Sequence, residues 1–187
     1  MISGVNTREL IVGILLEINE EGQPSHQVIR NVLTKYQFLP KQDRAFITRV
    51  CEGTLEYQIT IDYILNCFSK VKTDKMKPAI REILRSGIYQ LKYMDSVPDS
   101  AVCNEAVKLA QKRGFYNLKP FVNGVLRTAA RQMNEIVYPD ESNLVQHLSV
   151  KYSMPEVLVK RWLDEYGEDT TRVMLEDFLT ERPMTVR

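Results

Sequence analysis

The sequence predicts an all-α protein. Three observations lead there. Apolar residues recur at i, i+3, i+4 and i+7 in one segment after another. The segments open on capping residues or prolines and close on glycines or cations. The pattern stays helical almost to the end of the 187 residues.

Taken in order, Asn6-Thr7-Arg8-Glu9 reads as a capping box, in which Asn6 accepts an early backbone N–H and Glu9 reaches back. Leu10, Ile11, Ile14, Leu15 and Ile18 then form one inward face. Glu21-Gly22-Gln23-Pro24 ends that helix. Ser25 is expected to cap a short second helix with Val28, Ile29, Val32 and Leu33 inward. Pro40 suits the first turn of a third helix. It is a long one, marked by Phe46, Ile47, Val50, Leu55, Ile61, Ile64, Leu65 and Phe68. Gly53 within it costs helix stability and calls for close approach of a neighbouring helix or a slight break.

Residues 70–77 form a basic connector. Beyond Pro78 a fourth helix shows Ile80, Ile83, Leu84, Gly87, Ile88 and Leu91 at clean helical spacing. Val97-Pro98 ends the next loop. Ser100 is expected to cap a fifth helix with Val102, Ala106 and Leu109 inward. Glu105, beside that face, is expected to be a structural acceptor, and Arg85 to reach inward to it. Tyr89 and Tyr93 read as core cover. Lys112-Arg113-Gly114 closes the helix with cations and a glycine. Asn117 is expected to cap a sixth helix, whose apolar face is Phe121, Val122, Val125, Leu126, Ala129, Ala130 and Met133.

The character changes after Met133, and Tyr138-Pro139-Asp140 is a boundary signal. The expected division is a body over residues 1–137 and a small helical linker subdomain over 138–187. Short amphipathic helices are expected around 144–150, 157–166 and 173–179. Ser153-Met154-Pro155-Glu156 is a helix-start signal, and Trp162 reads as a core anchor. Met184-Thr185-Val186-Arg187 resembles the start of a strand with nothing to pair to, so the chain is expected to be a fragment of a longer protein.

Composition narrows the function. Apolar residues make up 44%, enough for a real core. The net charge of +1 hides an asymmetry. Residues 1–134 carry 19 Lys and Arg against 13 Asp and Glu, a balance of +6, whereas 135–187 carry 6 against 11, a balance of −5. A basic body and an acidic end piece suggest different partners. Cys51, Cys67 and Cys103 lack C-x-x-C spacing, which argues against zinc and against a disulfide scaffold; each reads as a small buried hydrophobe. No apolar run is long enough to span a membrane, no leader pattern opens the chain, and a reducing cytoplasm fits best.

No Gly-rich phosphate loop and no nucleophile elbow is present. His26 and His147 have no carboxylate or cysteine at ligand spacing and read as surface or capping residues. Asp43-Arg44 is either a solvated pair or a phosphate clamp. The best candidate is a stripe on the sixth helix. Lys119, Asn123, Arg127 and Arg131 step by four along one face, and unpaired buried cations are too costly to be packing residues. With Arg8 and Arg44 they would face water or a polyanion. Guanidinium groups present a planar fork of donors that suits phosphate, and such contacts position a nucleic acid without reading its sequence.

Several motifs, in order, carry a resemblance. They are Asp43-Arg44-x-Phe46, Glu52-Gly53-Thr54-Leu55, Ile83-Leu84-Arg85-Ser86-Gly87-Ile88-Tyr89-Gln90-Leu91, Val97-Pro98, Asn104-Glu105-Ala106-Val107 and Phe121-Val122-Asn123-Gly124-Val125-Leu126-Arg127. Over roughly residues 5–134 the chain resembles the NusB-like RNA-binding domain. That resemblance implies two packed three-helix bundles. Two branches share the domain: stand-alone transcription antitermination factors, and the N-terminal domains of the Sun/RsmB/Fmu ribosomal RNA cytosine-5 methyltransferases. The continuation through Lys151-Tyr152-Ser153-Met154-Pro155, Val159-Lys160-Arg161-Trp162, Tyr166-Gly167 and Arg182-Pro183-Met184-Thr185-Val186-Arg187 resembles the methyltransferase linker. The methyltransferase branch implies 16S ribosomal RNA as partner, together with a following catalytic domain that binds S-adenosylmethionine and attacks cytosine with a cysteine thiolate. None of Cys51, Cys67 or Cys103 matches that catalytic motif, so no catalytic residue, cofactor or metal is expected in this chain. The rival expectations are an antitermination-type factor that binds nascent RNA with a ribosomal protein, and a helical protein-interaction module.

Overall fold

The computed structural model describes residues 4–180, so the strand expected at 184–187 lies outside the described residues. The described residues contain helices and turns and no strand. The chain divides into two compact units, Met1–Ile136 and Val137–Arg187.

The first unit holds α1 (Thr7–Glu21), α2 (Ser25–Lys35), α3 (Lys41–Glu56), α4 (Gln58–Phe68), α5 (Pro78–Tyr93), α6 (Asp99–Lys112) and α7 (Lys119–Gln132). Helices α1, α2 and α3 pack on one another, and α4 to α7 form a second group. Helix α5 joins the two by packing on α1, α3, α4, α6 and α7. The second group has four helices where three were expected, because the long third helix divides at Tyr57 (φ −94°, ψ 19°). Gly53 is not the break. A Cβ placed on it would lie 2.1 Å from Cζ of Tyr89, so it marks the close approach of α3 to α5. Tyr57, Tyr89 and Tyr93 pack ring to ring beside it, with centroids 4.3 to 6.5 Å apart.

A helix packed on every side must bury polar side chains, and α5 buries an unbroken run from Glu82 to Gln90. Buried charge is tolerable only when paired. Arg85 donates to Asp62 of α4 through Nε (2.7 Å) and Nη2 (2.6 Å), and to Glu82 through Nη1 (2.8 Å). Glu82, fully buried, also accepts from Asn19 Nδ2 at 3.0 Å and Arg81 Nε at 3.3 Å. Burial acts to lower the pKa of Arg85, but its hydrogen bonds to Asp62 and the charges of both carboxylates prevail and raise it. The expected Arg85–Glu105 pair is therefore replaced by a carboxylate 23 residues away and one a helical turn away. Glu105 instead accepts from Lys108 at 2.7 Å on the surface of α6.

The helix starts also differ from expectation. Asn6 accepts from Glu9 N at 3.1 Å, but Glu9 pairs with Arg113 at 2.7 Å instead of closing the box. Ser25, Ser100 and Asn117 make no capping bond; Pro24 and Pro98 take the N-cap positions before α2 and α6, and Leu118 precedes α7. Pro40 likewise stands just before α3. Proline holds the extended conformation an N-cap needs and has no N–H to satisfy. Cys51 and Cys103 are buried, but Cys67 is exposed near the end of α4. The basic connector is held by Asn66, whose Oδ1 accepts from Thr73 N at 2.9 Å.

The second unit contains α8 (Leu144–Tyr152) and α9 (Glu156–Phe178). Gly167 interrupts α9 with φ 75° and ψ 174°, a conformation only glycine adopts readily. Leu148, Tyr152, Val159 and Leu175 form the seam, and Trp162 stacks on Phe178 at 5.7 Å. Val157, Tyr166 and Val173 are exposed. Pro155 takes the N-cap of α9, and Ser153 (φ 53°) closes α8. His147 does have a carboxylate in reach, Glu141 at 3.5 Å, and its Nδ1 meets Pro139 O at 2.8 Å.

Candidate nucleic-acid interface

The stripe on α7 forms one wall of a groove, and α6 forms the other. Every fourth residue of α7 returns to the same face because the helix turns once in 3.6 residues. Val122, Val125, Leu126 and Ala129 are buried, which directs Lys119, Asn123, Arg127 and Arg131 to the opposite side. Arg127 lies mid-groove. Its Nε donates to Asn123 Oδ1 at 2.8 Å, and its Nη2 donates across the groove to Asn104 Oδ1 of α6 at 3.4 Å. Two neutral amide oxygens thus aim the guanidinium without cancelling its charge. Among the described residues Lys119, Arg127 and Arg131 have no ion-pair partner.

Open hollows flank Arg127 on both sides. One, of about 630 Å³, lies between Asn104, Val107 and Lys108 of α6 and Lys119, Pro120 and Asn123 of α7. The other, of about 450 Å³, runs from Asp99, Ser100 and Cys103 to Gly124, Thr128 and Arg131. Asp99 is the one carboxylate among these lining residues. Burial pushes the Cys103 thiol up against the opposing charge of Arg127, so it rests as a neutral thiol and not as a nucleophile. Among the described residues no group of three or more His, Cys, Asp or Glu is placed to hold a metal ion.

The six residues expected to act together fall in three places. Lys119, Asn123, Arg127 and Arg131 share the α6–α7 groove. Arg8 is half-buried, with its guanidinium 5.1 Å from the Phe46 ring centroid and its Nε without a hydrogen-bond partner. Burial lowers its pKa, against the charge of Glu105. It opens onto a small hollow lined by Ser86, Gln90 and Ala106 and is a packing cation with limited reach. Arg44 lines a separate groove between α2 and α3. The α6 wall, with Asn104, Lys108 and Ser100, was missed as a site. Its signals were the i, i+4 spacing of Ser100, Asn104 and Lys108 on α6 and the place of Asn104 in the Asn104-Glu105-Ala106-Val107 motif.

The first unit is thus an all-helical domain with an amide-held arginine in an open, carboxylate-poor groove. Residues 5–131 match the NusB family, and the chain belongs to that family. It is 32% identical over 182 residues, 97% of its length, to a probable ribosomal RNA small subunit methyltransferase B from Bacillus subtilis (strain 168). It spans 40% of that relative. It is also 33% identical to the transcription antitermination protein NusB of Geobacillus kaustophilus (strain HTA426), over 64% of the chain and 88% of the relative. The fold is similar to that of one chain in the crystal structure of antitermination factors NusB and NusE in complex with dsRNA (TM-score 0.61, 20% identity, 67% of this chain and 93% of that one). It is similar over 96% of its length to 40% of the crystal structure of PH0851 (TM-score 0.71, 17% identity). No helix among the described residues is long and apolar enough to cross a membrane.

Proposed function

We propose that this chain is the RNA-docking part of a cytosolic 16S ribosomal RNA (cytosine-C5) methyltransferase. The observation that carries the reading is Arg127, aimed by Asn123 and Asn104 and without an ion-pair partner among the described residues. Lys119, Arg127 and Arg131 hold phosphates of ribosomal RNA along the α6–α7 groove. Arg8 supports the fold beside them, and Arg44 contributes from its own groove. S-adenosylmethionine chemistry belongs, in this reading, to the portion of the methyltransferase relatives that this chain does not span. The likeness to those relatives over 97% of the chain, both units included, supports this branch.

The test is salt-dependent binding to a ribosomal RNA fragment. Each phosphate contact releases condensed counterions, so the double variant Arg127→Ala, Arg131→Ala should flatten the slope of log K against log salt by about 1.5 to 2. An unchanged slope removes the groove from the binding surface. An antitermination-type role is the second reading, favoured by the match to 88% of the Geobacillus NusB. It predicts altered terminator read-through when the chain is added to a transcription reaction, an effect a methyltransferase docking domain does not give.

A further inference from the structure

We propose that the groove between α2 and α3 is a separate phosphate-binding site, sized for one nucleotide. Its volume of about 450 Å³ lies in the range of small-molecule sites. Ile29 and Leu33 form an apolar floor. Arg30 and Arg44 stand at its walls, from α2 and α3 respectively, and neither has an ion-pair partner among the described residues. Nε of Arg44 is shielded from solvent and makes no hydrogen bond, so a donor of a fixed cation is left without an acceptor. Such a group is costly unless something completes it. Thr34 of α2 and Gln37 of the turn after it add neutral hydrogen-bonding groups, whereas Thr48 spends its hydroxyl on Arg44 O at 3.1 Å. Glu52 is the single carboxylate in the lining and sits exposed at the rim.

Two planar guanidinium forks over an apolar floor, with neutral polar groups beside them, match a phosphate attached to a flat ring system. The site is distinct from the α6–α7 groove. Helix α2 packs on α1 and α3, whereas α7 packs on α4, α5 and α6. Helices α1 and α5 therefore stand between the two grooves. The chemistry is shared by a phosphodiester of RNA and by a free nucleotide. Only the first of these sources rests on the proposed function.

The experiment is amide NMR of the 187-residue chain titrated with inorganic phosphate and then with adenosine monophosphate. Saturable shifts are expected across residues 29–37 and 44–52, with the nucleotide binding tighter than phosphate. The double variant Arg30→Gln, Arg44→Gln should weaken binding about tenfold or more, the equivalent of one charge-assisted hydrogen bond. Glu52→Gln, which removes a repelling charge from the exposed rim without touching the core, should tighten it. Shifts scattered over the first unit without saturation, or a Glu52→Gln variant that binds more weakly, overturn the proposal. So does a folded double variant that binds as the parent does. A nucleotide no tighter than phosphate, with no displacement by RNA, overturns the nucleotide assignment. Displacement of the bound probe by a ribosomal RNA fragment identifies the phosphodiester as the source; a tight nucleotide that RNA leaves in place identifies the free ligand. Nucleotide binding here that persists while the Arg127→Ala, Arg131→Ala variant binds RNA normally sinks the α6–α7 reading alone.

Discussion

Alanine at Gly53 and alanine at Gly124 should move stability in opposite directions, although both glycines lie inside helices. A Cβ at Gly53 would sit 2.1 Å from Cζ, 2.2 Å from Cε2 and 2.3 Å from the hydroxyl oxygen of Tyr89. Carbon atoms prefer about 3.5 to 4.0 Å, so the ring would have to withdraw by roughly 1.5 Å. It is poorly placed to do so, being 6% exposed and packed against Tyr57 and Tyr93. Overpacking of this kind costs about 1–3 kcal/mol, and the better helix propensity of alanine returns up to about 1 kcal/mol. The net expectation for Gly53→Ala is a loss of about 1–2 kcal/mol. Nothing lies within 4 Å of the corresponding point at Gly124, so Gly124→Ala should gain up to about 1 kcal/mol. Urea denaturation followed by far-ultraviolet circular dichroism reads both. In a Tyr89→Leu background, which removes the ring, Gly53→Ala should become neutral or favourable. A parental Gly53→Ala as stable as the unmodified chain would mean that Tyr89 does not abut the α3 backbone, and the α3–α5 packing described above would be wrong.

Arg85→Met should cost about 3–5 kcal/mol, because it strands the buried Glu82 carboxylate. Adding Glu82→Leu should recover much of that loss in the same urea assay, and a double variant no better than the single one contradicts the pairing. In the second unit, burial first and then the Glu176 acceptor at 2.9 Å hold the Tyr152 phenol above its ordinary pKa. The sign follows from that direction. The stability Tyr152 contributes is complete below the unfolded value of about 10 and is lost as pH rises through the folded value. Tyr152→Phe should therefore lower stability by about 0.5–1.5 kcal/mol near neutrality and flatten the alkaline decline. Trp162 fluorescence during urea titration, repeated at pH values from about 8 to 11, measures it, and an alkaline profile identical to the parent's refutes it.

How much was legible depends on whether the information was local. Ile11, Ile14, Leu15, Val28, Ile29, Ile83, Leu84, Ile88 and Leu126 are buried where their helical spacing put them, because the period of the helix fixes which side chains share a face. The stripe on α7 was readable for the same reason. The partner of Arg85 was not, since Asp62 lies 23 residues away on another helix and spacing carries no tertiary distance. The α6 wall of the groove was hidden likewise, since two helices must pack before Asn104 can meet Arg127. Capping failed at Ser25 and Ser100 through a local rule given too little weight. A proline already in extended conformation fills the N-cap position and leaves the neighbouring hydroxyl no role. The division at Tyr57 has no proline or glycine to announce it, and the glycine that drew attention, Gly53, serves packing.

The cations of the first unit sort by what faces them. Arg81, Arg85 and Arg113 each meet a carboxylate from another helix: Glu20 of α1, Asp62 of α4 and Glu9 of α1 respectively. Each pair ties one helix to another, and each is partly shielded from water, where charge pairing matters most. Among the described residues Lys119, Arg127 and Arg131 have no such partner, though carboxylates are plentiful in this unit. Arg127 is held by amide oxygens at a defined place, which costs side-chain entropy that a freely solvated arginine would keep. Under the proposed function, that ordered but unneutralised cation is the position set aside for an RNA phosphate. Replacing Asn104 with aspartate tests that reasoning without touching the arginine. Asn104→Asp would cancel the charge in place, so RNA affinity should fall and its salt slope flatten by about 1 while thermal stability holds. An affinity indifferent to that carboxylate would show that Arg127 is ordered for some other reason.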